Sequence, residues 1–445
     1  MISISYYVMV KKKRIEFLLL LLSIIFFQTA GFSQKLDLQD AISIALKNSL
    51  DLQVLKNNVE ITNINNHIGV AGGLPIVTGT LSDNEQASNI TQKLNTGTIL
   101  KRNGASGNTF NSGINSSILL YNGSRVVTTK KRLEQLQAQS EQYLNSQIQN
   151  IAAAVMTAYY DVIRQQDYMK TIAHSIDASQ KRLEIVKTQQ NVGMANNADL
   201  FQSQLDLNAL FQSKQSQQSI IDQAKTELLL LLNLKPDSAI VVSDTILVDK
   251  NVILGDILNG LQNNADIAAA SDQVKINELI SKETAALRYP SIRANAAYNY
   301  NRAQISGGQI LLNQNNGVSG GINLSIPIYN GSIYKRQQRV ADINTKNASL
   351  QKDILIKNYN ANVVKTYQSY AAGLQQLETQ QKNVELAGKL LDLVLLRFQL
   401  HAATILEVKQ AQKSFEDASF TMTNLSYAAK SSEIELKRLA NQIKF

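Results

Sequence analysis

The chain has 445 residues, no cysteine, no tryptophan and only three histidines, and it carries a formal net charge of +9. The absence of cysteine excludes disulfides, thiolate metal sites, cysteine nucleophiles and a lipid-modified N-terminal cysteine. The sequence contains no cluster of basic residues and no aromatic residues interleaved with them, so its small net positive charge does not indicate nucleic-acid binding.

Residues 1–33 have the pattern of a secretory signal peptide. Four basic residues at 11–14 precede an apolar stretch at 17–27, and Gly31 and Ser33 stand before the predicted cleavage at Gln34. No other stretch is long and apolar enough for a membrane-spanning helix. We therefore expect an exported mature chain without a helical membrane anchor.

After the signal peptide the sequence repeats itself. An offset of 215 residues places Ile42 on Ile257 and Pro75 on Pro290, and farther along an offset of 208 superposes the two copies of "YNGS". Each copy reads as helix, strand, loop, strand, very long helix, turn and helix. The sequence thus predicts a first repeat at 34–233, an inter-repeat segment with short strand character at 234–252, and a second repeat at 253–445.

Each repeat contains two predicted strands with one apolar and one polar face. Apolar and aromatic residues alternate with Ser, Arg and Asn over 291–301, and similar alternation occurs at 318–328 and 110–120. Ten-residue strands of this kind are typical of a transmembrane β-barrel. A soluble antiparallel sheet with one wet face has the same alternation. The signal peptide and the long polar loops predicted at 82–108 and 302–317 favour the barrel.

Four strands per chain cannot close such a barrel, because known ones begin at about eight strands. Open strand edges in lipid would leave backbone groups unpaired, at several kcal/mol each. Three copies with twelve strands are the simplest solution. Two copies with eight strands would leave a lumen filled by side chains.

The repeated "YNGS" ends a strand and begins a long helix, which makes it a strand-to-helix junction. Its serines are candidate N-caps. No proline interrupts 124–191 or 332–400, and about 70 helical residues would form a rod of roughly 100 Å. Rods of this length must pack side by side in coiled-coil fashion, extending the pore into the periplasm. The junction residues are Tyr121, Asn122, Gly123 and Ser124 in the first repeat and Tyr329, Asn330, Gly331 and Ser332 in the second.

The segments "LRYPSIRANAAYNYN", "LSIPIYNGSIYKRQQ" and "RFQLHAATILEVKQAQ" resemble signatures of the TolC family of outer-membrane factors. The resemblance implies a mainly α fold with a membrane β-barrel part, in which a homotrimer forms a 12-stranded barrel and a periplasmic α-helical barrel. It also implies a passive duct in the outer membrane of a Gram-negative bacterium, serving tripartite efflux or type I secretion. The implied partners are outer-membrane lipid, a periplasmic adaptor (membrane fusion) protein and an inner-membrane transporter, with no nucleic acid, no cofactor and no enzymatic activity.

The resemblance further implies candidates for a periplasmic aperture. These candidates are Asp199, Gln202, Glu407 and Gln410, and the adjoining tip turns contain Gly193 and His401. Relatives close this end partly through a tyrosine and an arginine, but Phe398 and Ala403 stand at those positions, so the locking links are not carried over. A ring of three Glu407 carboxylates would favour cations and raise its own pKa.

Both acidic aperture candidates also fit a plain structural role. Thr404 and Glu407 have the spacing of a capping box, and Asn196 and Asp199 resemble one at the equivalent turn. His401 occupies the place of Gly193 in a turn where a left-handed backbone is expected, and it could act as a pH sensor or be an ordinary exposed turn residue.

Two other classes of function remain open from the sequence: a periplasmic adaptor and a coiled-coil scaffold protein of an export complex. Adaptors usually contain one helical hairpin per chain, whereas this sequence predicts two together with amphipathic strands. A scaffold would not need the lipid-facing alternation. Enzymes have no support, because the sequence has no metal-spaced histidine cluster, phosphate-binding glycine loop or Ser/His/Asp arrangement.

Overall fold

The computed structural model describes residues 34–444, so the predicted signal peptide lies outside the described residues. The described chain is mainly helical with some strands, which confirms that part of the predicted fold. In chain order the elements are β1 (Gln34–Lys35), α1 (Leu38–Asn48), α2 (Leu50–Asn65), β2 (Ile76–Lys93), β3 (Ile99–Tyr121), α3 (Arg125–Asn191), α4 (Asn197–Leu231), β4 (Ile240–Val241), α5 (Leu254–Gly260), a short 3-10 turn (Leu261–Asn263), α6 (Ala265–Ala286), β5 (Ser291–Ile305), β6 (Leu312–Ser325), α7 (Ile333–Gln399) and α8 (Ile405–Leu439).

The two halves match in helix length and in strand register. Helices α3 and α7 have 67 residues each, and α4 and α8 have 35 each. Helix α3 begins at Arg125 and α7 at Ile333, an offset of 208. Ile76 pairs with Ser117 in the first hairpin, and Ser291 pairs with Ser325 in the second. Offsets of 215 and 208 therefore relate the two hairpins strand by strand.

The four long strands form one antiparallel sheet in the order β2-β3-β5-β6. They contain 18, 23, 15 and 14 residues, so the expectation of ten-residue strands was wrong. Most of the predicted loops at 82–108 and 302–317 are strand as well, with connections only at 94–98 and 306–311. Backbone groups make the ladder, so polar residues continue it beyond the apolar alternation.

Helix α3 lies in the middle of the helical part. It packs against α2 and α6, which lead into strands, and farther from the sheet it packs against α4 and α8. Helix α7 packs mainly against α6 and α8. The helices next to the sheet therefore follow the order α2-α3-α6-α7, which leaves α2 and α7 at opposite edges. The strands have the same arrangement, with β2 and β6 at the edges.

The core consists of separate clusters along the rods. The largest lies where α1, α3 and α4 meet the inter-repeat segment, and it includes Ile42, Val155 and Leu228. In this cluster the hydroxyl of Tyr159 donates to Asp244 Oδ2 at 2.5 Å. Burial raises the pKa of Tyr159, and the hydrogen bond to Asp244 adds to that effect. The short pair β1 and β4 is held here, in parallel.

Candidate functional site

The four-stranded sheet has one continuous apolar face. Directly opposed residues of an antiparallel sheet point to the same side, and one such row contains Gly79, Ile114, Tyr298 and Val318. Val318 and Ile322 are 83% and 74% exposed, so nothing in the described chain covers this face. The apolar face consists mainly of Val77, Leu81, Ile114, Ile118, Ile292, Ala294, Tyr298, Val318, Ile322 and Leu324.

The opposite face of the sheet is polar. Its rows include Thr78 with Asn115, and Asn301 with Asn315. Asn301 Nδ2 donates to Asn315 Oδ1 at 3.1 Å. The sequence assigned the faces of these strands correctly but extended the last strand too far, because β6 ends at Ser325 and leaves Ile326 and Ile328 in the connection to α7. The sheet therefore has one apolar and one polar surface.

The "YNGS" junctions differ from the predicted N-caps. Ser124 and Ser332 lie in the left-handed region at φ 66° and 63°, and neither side chain makes a capping hydrogen bond. The N-cap prediction was therefore wrong for both serines. An N-cap serine needs an extended backbone to direct its oxygen at the first turn, and the left-handed backbone prevents this.

The asparagine of the motif organises each turn instead. The backbone N–H of Arg125 donates to Asn122 O, and that of Ile333 donates to Asn330 O, each at 3.3 Å. In the first repeat Asn122 Oδ1 also accepts a hydrogen bond from the Val126 N–H at 3.3 Å. With two consecutive left-handed residues between donor and acceptor, each turn has the geometry of a type I′ turn.

The remaining junction residues differ between the repeats. Tyr121 is the last residue of β3, whereas Tyr329 lies beyond β6 and is 84% exposed. A Cβ atom on Gly123 would lie 2.7 Å from Tyr289 Cβ, whereas one on Gly331 would meet nothing within 4 Å. The first junction is therefore packed against the end of α6 and the connection that follows it, and the second is open.

The two tip turns have the same backbone. Gly193 has φ 76° and His401 has φ 59°. After α3, the N–H of Met194 donates to Gln189 O at 2.7 Å, and after α7 the N–H of Ala402 donates to Arg397 O at 2.8 Å. These bonds are those of the Schellman motif. His401 thus adopts the backbone of Gly193, and the difference in sequence does not alter the shape of the turn.

Gln189 connects the two tip turns. Its Nε2 lies 3.2 Å from His401 Nδ1 and 3.4 Å from Phe398 O. Phe398 is buried among Val186, Val394 and Val408 in the tip cluster, which explains why an apolar ring suits this position. The structure brings Gln189 and His401 together across 212 residues of sequence.

The two acidic aperture candidates lie in the first turns of α4 and α8. Thr404 Oγ1 accepts from the Glu407 N–H at 3.3 Å, and Glu407 Oε2 accepts from the Thr404 N–H at 2.6 Å, which confirms the capping box. Asn196 Oδ1 accepts from the Asp199 N–H at 2.9 Å. The hydrogen bond from the Thr404 backbone, followed by that from its hydroxyl, holds the pKa of Glu407 below its ordinary value.

A charge cluster around the buried Arg182 side chain lies beside the two glutamine candidates and was not predicted. Gln202 Nε2 donates to Asp206 Oδ1 at 2.8 Å, and Asp206 also binds Arg182 and Lys409. Gln410 lines a cavity of about 370 Å³ together with Arg182, Asp206 and Lys409, between α3, α4 and α8. Lys409 is 203 residues from Asp206, so sequence spacing carried no signal for this cluster.

No helix among residues 34–444 combines the length and the hydropathy that crossing a membrane requires. In the same part of the chain, no three His, Asp or Glu side chains are grouped so that they could hold a metal ion.

Comparison with known proteins identifies the family. The family model described as "Outer membrane efflux protein" matches residues 41–234 and 258–442. The chain belongs to this family. Among curated proteins, the outer membrane protein TolC of Vibrio cholerae serotype O1 is 23% identical over 352 residues, which cover 73% of this chain and 75% of the relative.

Solved structures of outer-membrane proteins share the fold of this family member. CusC aligns with a TM-score of 0.77 at 20% identity, covering 93% of this chain and 94% of CusC. VceC of Vibrio cholerae aligns with a TM-score of 0.75 at 18% identity, covering 91% of this chain and 96% of VceC. The open state of MtrE of Neisseria gonorrhoeae aligns with a TM-score of 0.73 at 16% identity, covering 91% of this chain and 88% of MtrE. At these identities the likeness shows the fold alone.

Proposed function

We propose that this outer membrane efflux protein is a passive duct through the outer membrane, formed by three copies of the chain. One observation carries the proposal: a four-stranded sheet has an exposed apolar face and a polar face and is continuous with helices of 67 residues. An apolar surface on the outside and a polar surface on the inside suit lipid and a water-filled pore respectively.

The edges of the sheet support a trimer. Strands β2 and β6 lie at opposite edges, and neither has a partner on its outer side within the described chain. Pairing β6 of one copy with β2 of the next repeats a single head-to-tail contact, which forms a ring when the rotation closes. Three copies supply twelve strands and leave none of the edges in lipid.

The helical part would continue the pore into the periplasm. At about 1.5 Å per residue, α3 and α7 are each roughly 100 Å long, and α7 leaves large apolar side chains such as Val340 and Leu350 exposed. We propose that the helices of three copies form a tube whose free end docks on a periplasmic adaptor and an inner-membrane transporter. The division into repeats at 34–233 and 253–445, joined by 234–252, belongs to the same proposal.

Asp199, Gln202, Glu407 and Gln410 are proposed to line the periplasmic aperture. They lie in the first two turns of α4 and α8, beside the tip turns that contain Gly193 and His401. Helix capping by Glu407 is compatible with this role. The hydrogen bonds from Thr404 lower the pKa of Glu407 and so oppose the rise that repulsion among three carboxylates would cause, which supports a preference for cations.

A matched pair of variants tests the membrane assignment. Ile322→Lys places a charge on the apolar face, and Asn323→Lys places it on the polar face one residue away. A lysine facing lipid near the bilayer midplane costs about 2–4 kcal/mol. We expect Ile322→Lys to reduce the amount of assembled protein in outer-membrane fractions strongly and Asn323→Lys to leave it unchanged. Equal assembly of both variants would favour a scaffold outside the membrane.

A further inference from the structure

The polar face of the sheet is polar almost without charge. Its rows consist mainly of hydroxyl and amide side chains, with glycine and alanine between them. Where the strands pair, over residues 76–86, 107–119, 291–305 and 312–325, Arg293 is the one ionisable side chain on this face. The face therefore offers hydrogen bonds along its whole length and a fixed charge at a single position.

The apolar face of the same sheet does carry several charges. Asp83, Glu85 and Arg302 lie on it, at the end of the sheet farthest from the helices. There the Nδ2 atom of Asn108 donates to both carboxylates, at 2.6 Å to Asp83 and 2.7 Å to Glu85. The two arginines of β5, Arg293 and Arg302, thus lie on opposite faces and toward opposite ends of one strand. Their separation provides a matched pair of positions.

Arg293 lies where the sheet meets the helices. It is the third residue of β5, which follows α6 after a short connection. Its side chain is exposed, and Nη1 donates to Ser117 Oγ at 3.4 Å. The residues directly opposite it, Leu119 on β3 and Asn323 on β6, are uncharged. Because an arginine side chain does not lose its proton in proteins, this end of the polar face has a permanent positive charge.

The internal duplication shows that strand pairing does not require this arginine. The offset of 215 places Arg293 on Thr78, and the offset of 208 places Asn323 on Asn115. Thr78 pairs with Asn115 as Arg293 pairs with Asn323. The same backbone position thus holds an uncharged threonine in the first repeat and an arginine in the second. The charge of Arg293 therefore has a reason other than the formation of the sheet.

We propose that Arg293 of three copies forms a positive ring inside the barrel, at its junction with the helical tube, and that this ring binds anions within the duct. The inference rests on the proposed trimeric duct and adds to it a residue that determines charge specificity. Rings of arginine or lysine side chains are the usual means by which pores attract anions and phosphate groups. In an otherwise uncharged lumen, no neighbouring carboxylate competes with the anion.

The size of the ring indicates the class of anion. Twelve strands about 4.8 Å apart and tilted by about 40° place the backbone about 12 Å from the barrel axis. Arginine side chains that reach roughly 6 Å inward would bring the three guanidinium groups to about 10 Å from one another. A small monovalent anion then contacts one guanidinium at a time. An anion with several phosphate or carboxylate groups can bind two or three of them, each through paired hydrogen bonds, so the ring favours multivalent anions.

The Arg293 ring is independent of the proposed Glu407 ring. The two are separated by the length of α7, which has 67 residues and spans roughly 100 Å. Charges in salt solution are screened over about 10 Å at 0.1 M ionic strength, so neither ring alters the potential at the other. An anion added from outside reaches Arg293 through the barrel, whether the aperture at the far end is open or closed.

Binding of inositol hexakisphosphate to the detergent-solubilised protein tests the ring. Isothermal titration calorimetry in about 0.05 M salt should detect one molecule bound per three chains, and binding should weaken strongly in about 0.5 M salt. Arg293→Thr introduces the residue of the first repeat and should weaken binding about tenfold or more, because all three guanidinium groups are lost. Arg302→Thr is the matched control on the other face of β5 and should bind as the wild type does.

The possible outcomes distinguish the ring from the proposed function. The native mass of each variant is measured in parallel by light scattering corrected for detergent. A trimer that binds one anion, loses it in Arg293→Thr and keeps it in Arg302→Thr supports both proposals. A wild-type trimer that does not bind, or that binds equally well after Arg293→Thr, overturns the ring alone. A native wild-type monomer overturns the duct, and with it the ring.

A second uncharged variant covers a failure of Arg293→Thr to assemble. Arg293→Gln retains a long polar side chain, and as a trimer it should show the same loss of binding. If neither variant forms a trimer while Arg302→Thr does, Arg293 serves assembly, and the anion-binding ring is overturned.

Discussion

Arg182 Nη2 lies 2.9 Å from Asp206 Oδ2, and Lys409 Nζ lies 3.0 Å from the other oxygen of the same carboxylate. A single side chain on α4 therefore joins α3 and α8, which belong to different repeats. Arg182 is 1% exposed, and its Nε and Nη1 have no hydrogen-bond partner within the described residues. Asp206 thus provides the main compensation for a buried positive charge.

Replacing Asp206 should destabilise the helical part strongly. Asp206→Asn leaves the buried Arg182 guanidinium without its hydrogen-bonded counter-charge, and breaking a buried pair in this way typically costs about 3–5 kcal/mol. Denaturant unfolding followed by far-UV circular dichroism would measure the change. Glu378→Gln is the control, because its pair with Lys382 is 79% and 72% exposed and should contribute nothing measurable. Equal unfolding midpoints for both variants would contradict the prediction.

The Asp206 carboxylate should also make the stability of the protein depend on pH. Burial raises the pKa of Asp206, but hydrogen bonds from Lys409 and Gln202 and the Arg182 charge outweigh it and lower the pKa below the ordinary 3.8. A lowered pKa in the folded state gives stability that is present above the ordinary value and is lost as pH falls through the folded value. The stability difference between wild type and Asp206→Asn should therefore be constant from pH 5 to 7 and shrink below about pH 4. A difference as large at pH 2 as at pH 6 would contradict this assignment.

His401→Gly should stabilise the tip. A non-glycine residue in the left-handed region costs roughly 1–2 kcal/mol, and the contact between His401 and Gln189 at 3.2 Å is exposed and offsets little of it. We expect a gain of about 1 kcal/mol in unfolding free energy. Gly193→Ala, at the equivalent turn, should change stability in the opposite direction. A lower free energy of unfolding in His401→Gly would show that the contacts of the imidazole stabilise the turn by more than the strained backbone costs.

Glu407→Gln should separate the aperture role from the capping role. If three Glu407 carboxylates line the constriction, the variant should weaken cation selectivity in planar-bilayer recordings of the purified protein, because the ring loses its charge. Glutamine retains an oxygen that can accept the Thr404 N–H, so the first turn of α8 should persist. Thr404→Ala is the control: it should loosen that turn and leave the selectivity unchanged. Unaltered selectivity in Glu407→Gln would leave Glu407 as a helix cap.

The two "YNGS" glycines should respond differently to the same substitution. Both Gly123 and Gly331 have positive φ, at 69° and 67°, so alanine is strained at either position. Only at Gly123 would the added methyl group meet Tyr289, which adds an overpacking cost of about 1–3 kcal/mol. Gly123→Ala should therefore lower the thermal unfolding temperature more than Gly331→Ala. Equal losses would show that the crowding at Tyr289 relaxes without cost.

The sequence by itself determined the duplication, the long helices and the two faces of the sheet. These features follow from local rules: the side-chain period of a strand is two, and an apolar pattern near 3.6 that no proline interrupts extends a helix. The capping box of Thr404 and Glu407 was predictable for the same reason, since all its atoms lie within four consecutive residues.

Only the tertiary structure decided features that depend on distant residues or on backbone angles. Strand length depended on pairing with a neighbour, which continued the ladder through polar segments such as 82–93. Ser124 and Ser332 could not cap because their backbones are left-handed, a property that side-chain type does not reveal. The cluster of Arg182, Asp206 and Lys409 arose from packing between segments far apart in sequence. Local patterns cannot encode such contacts, because they depend on which helix lies beside which.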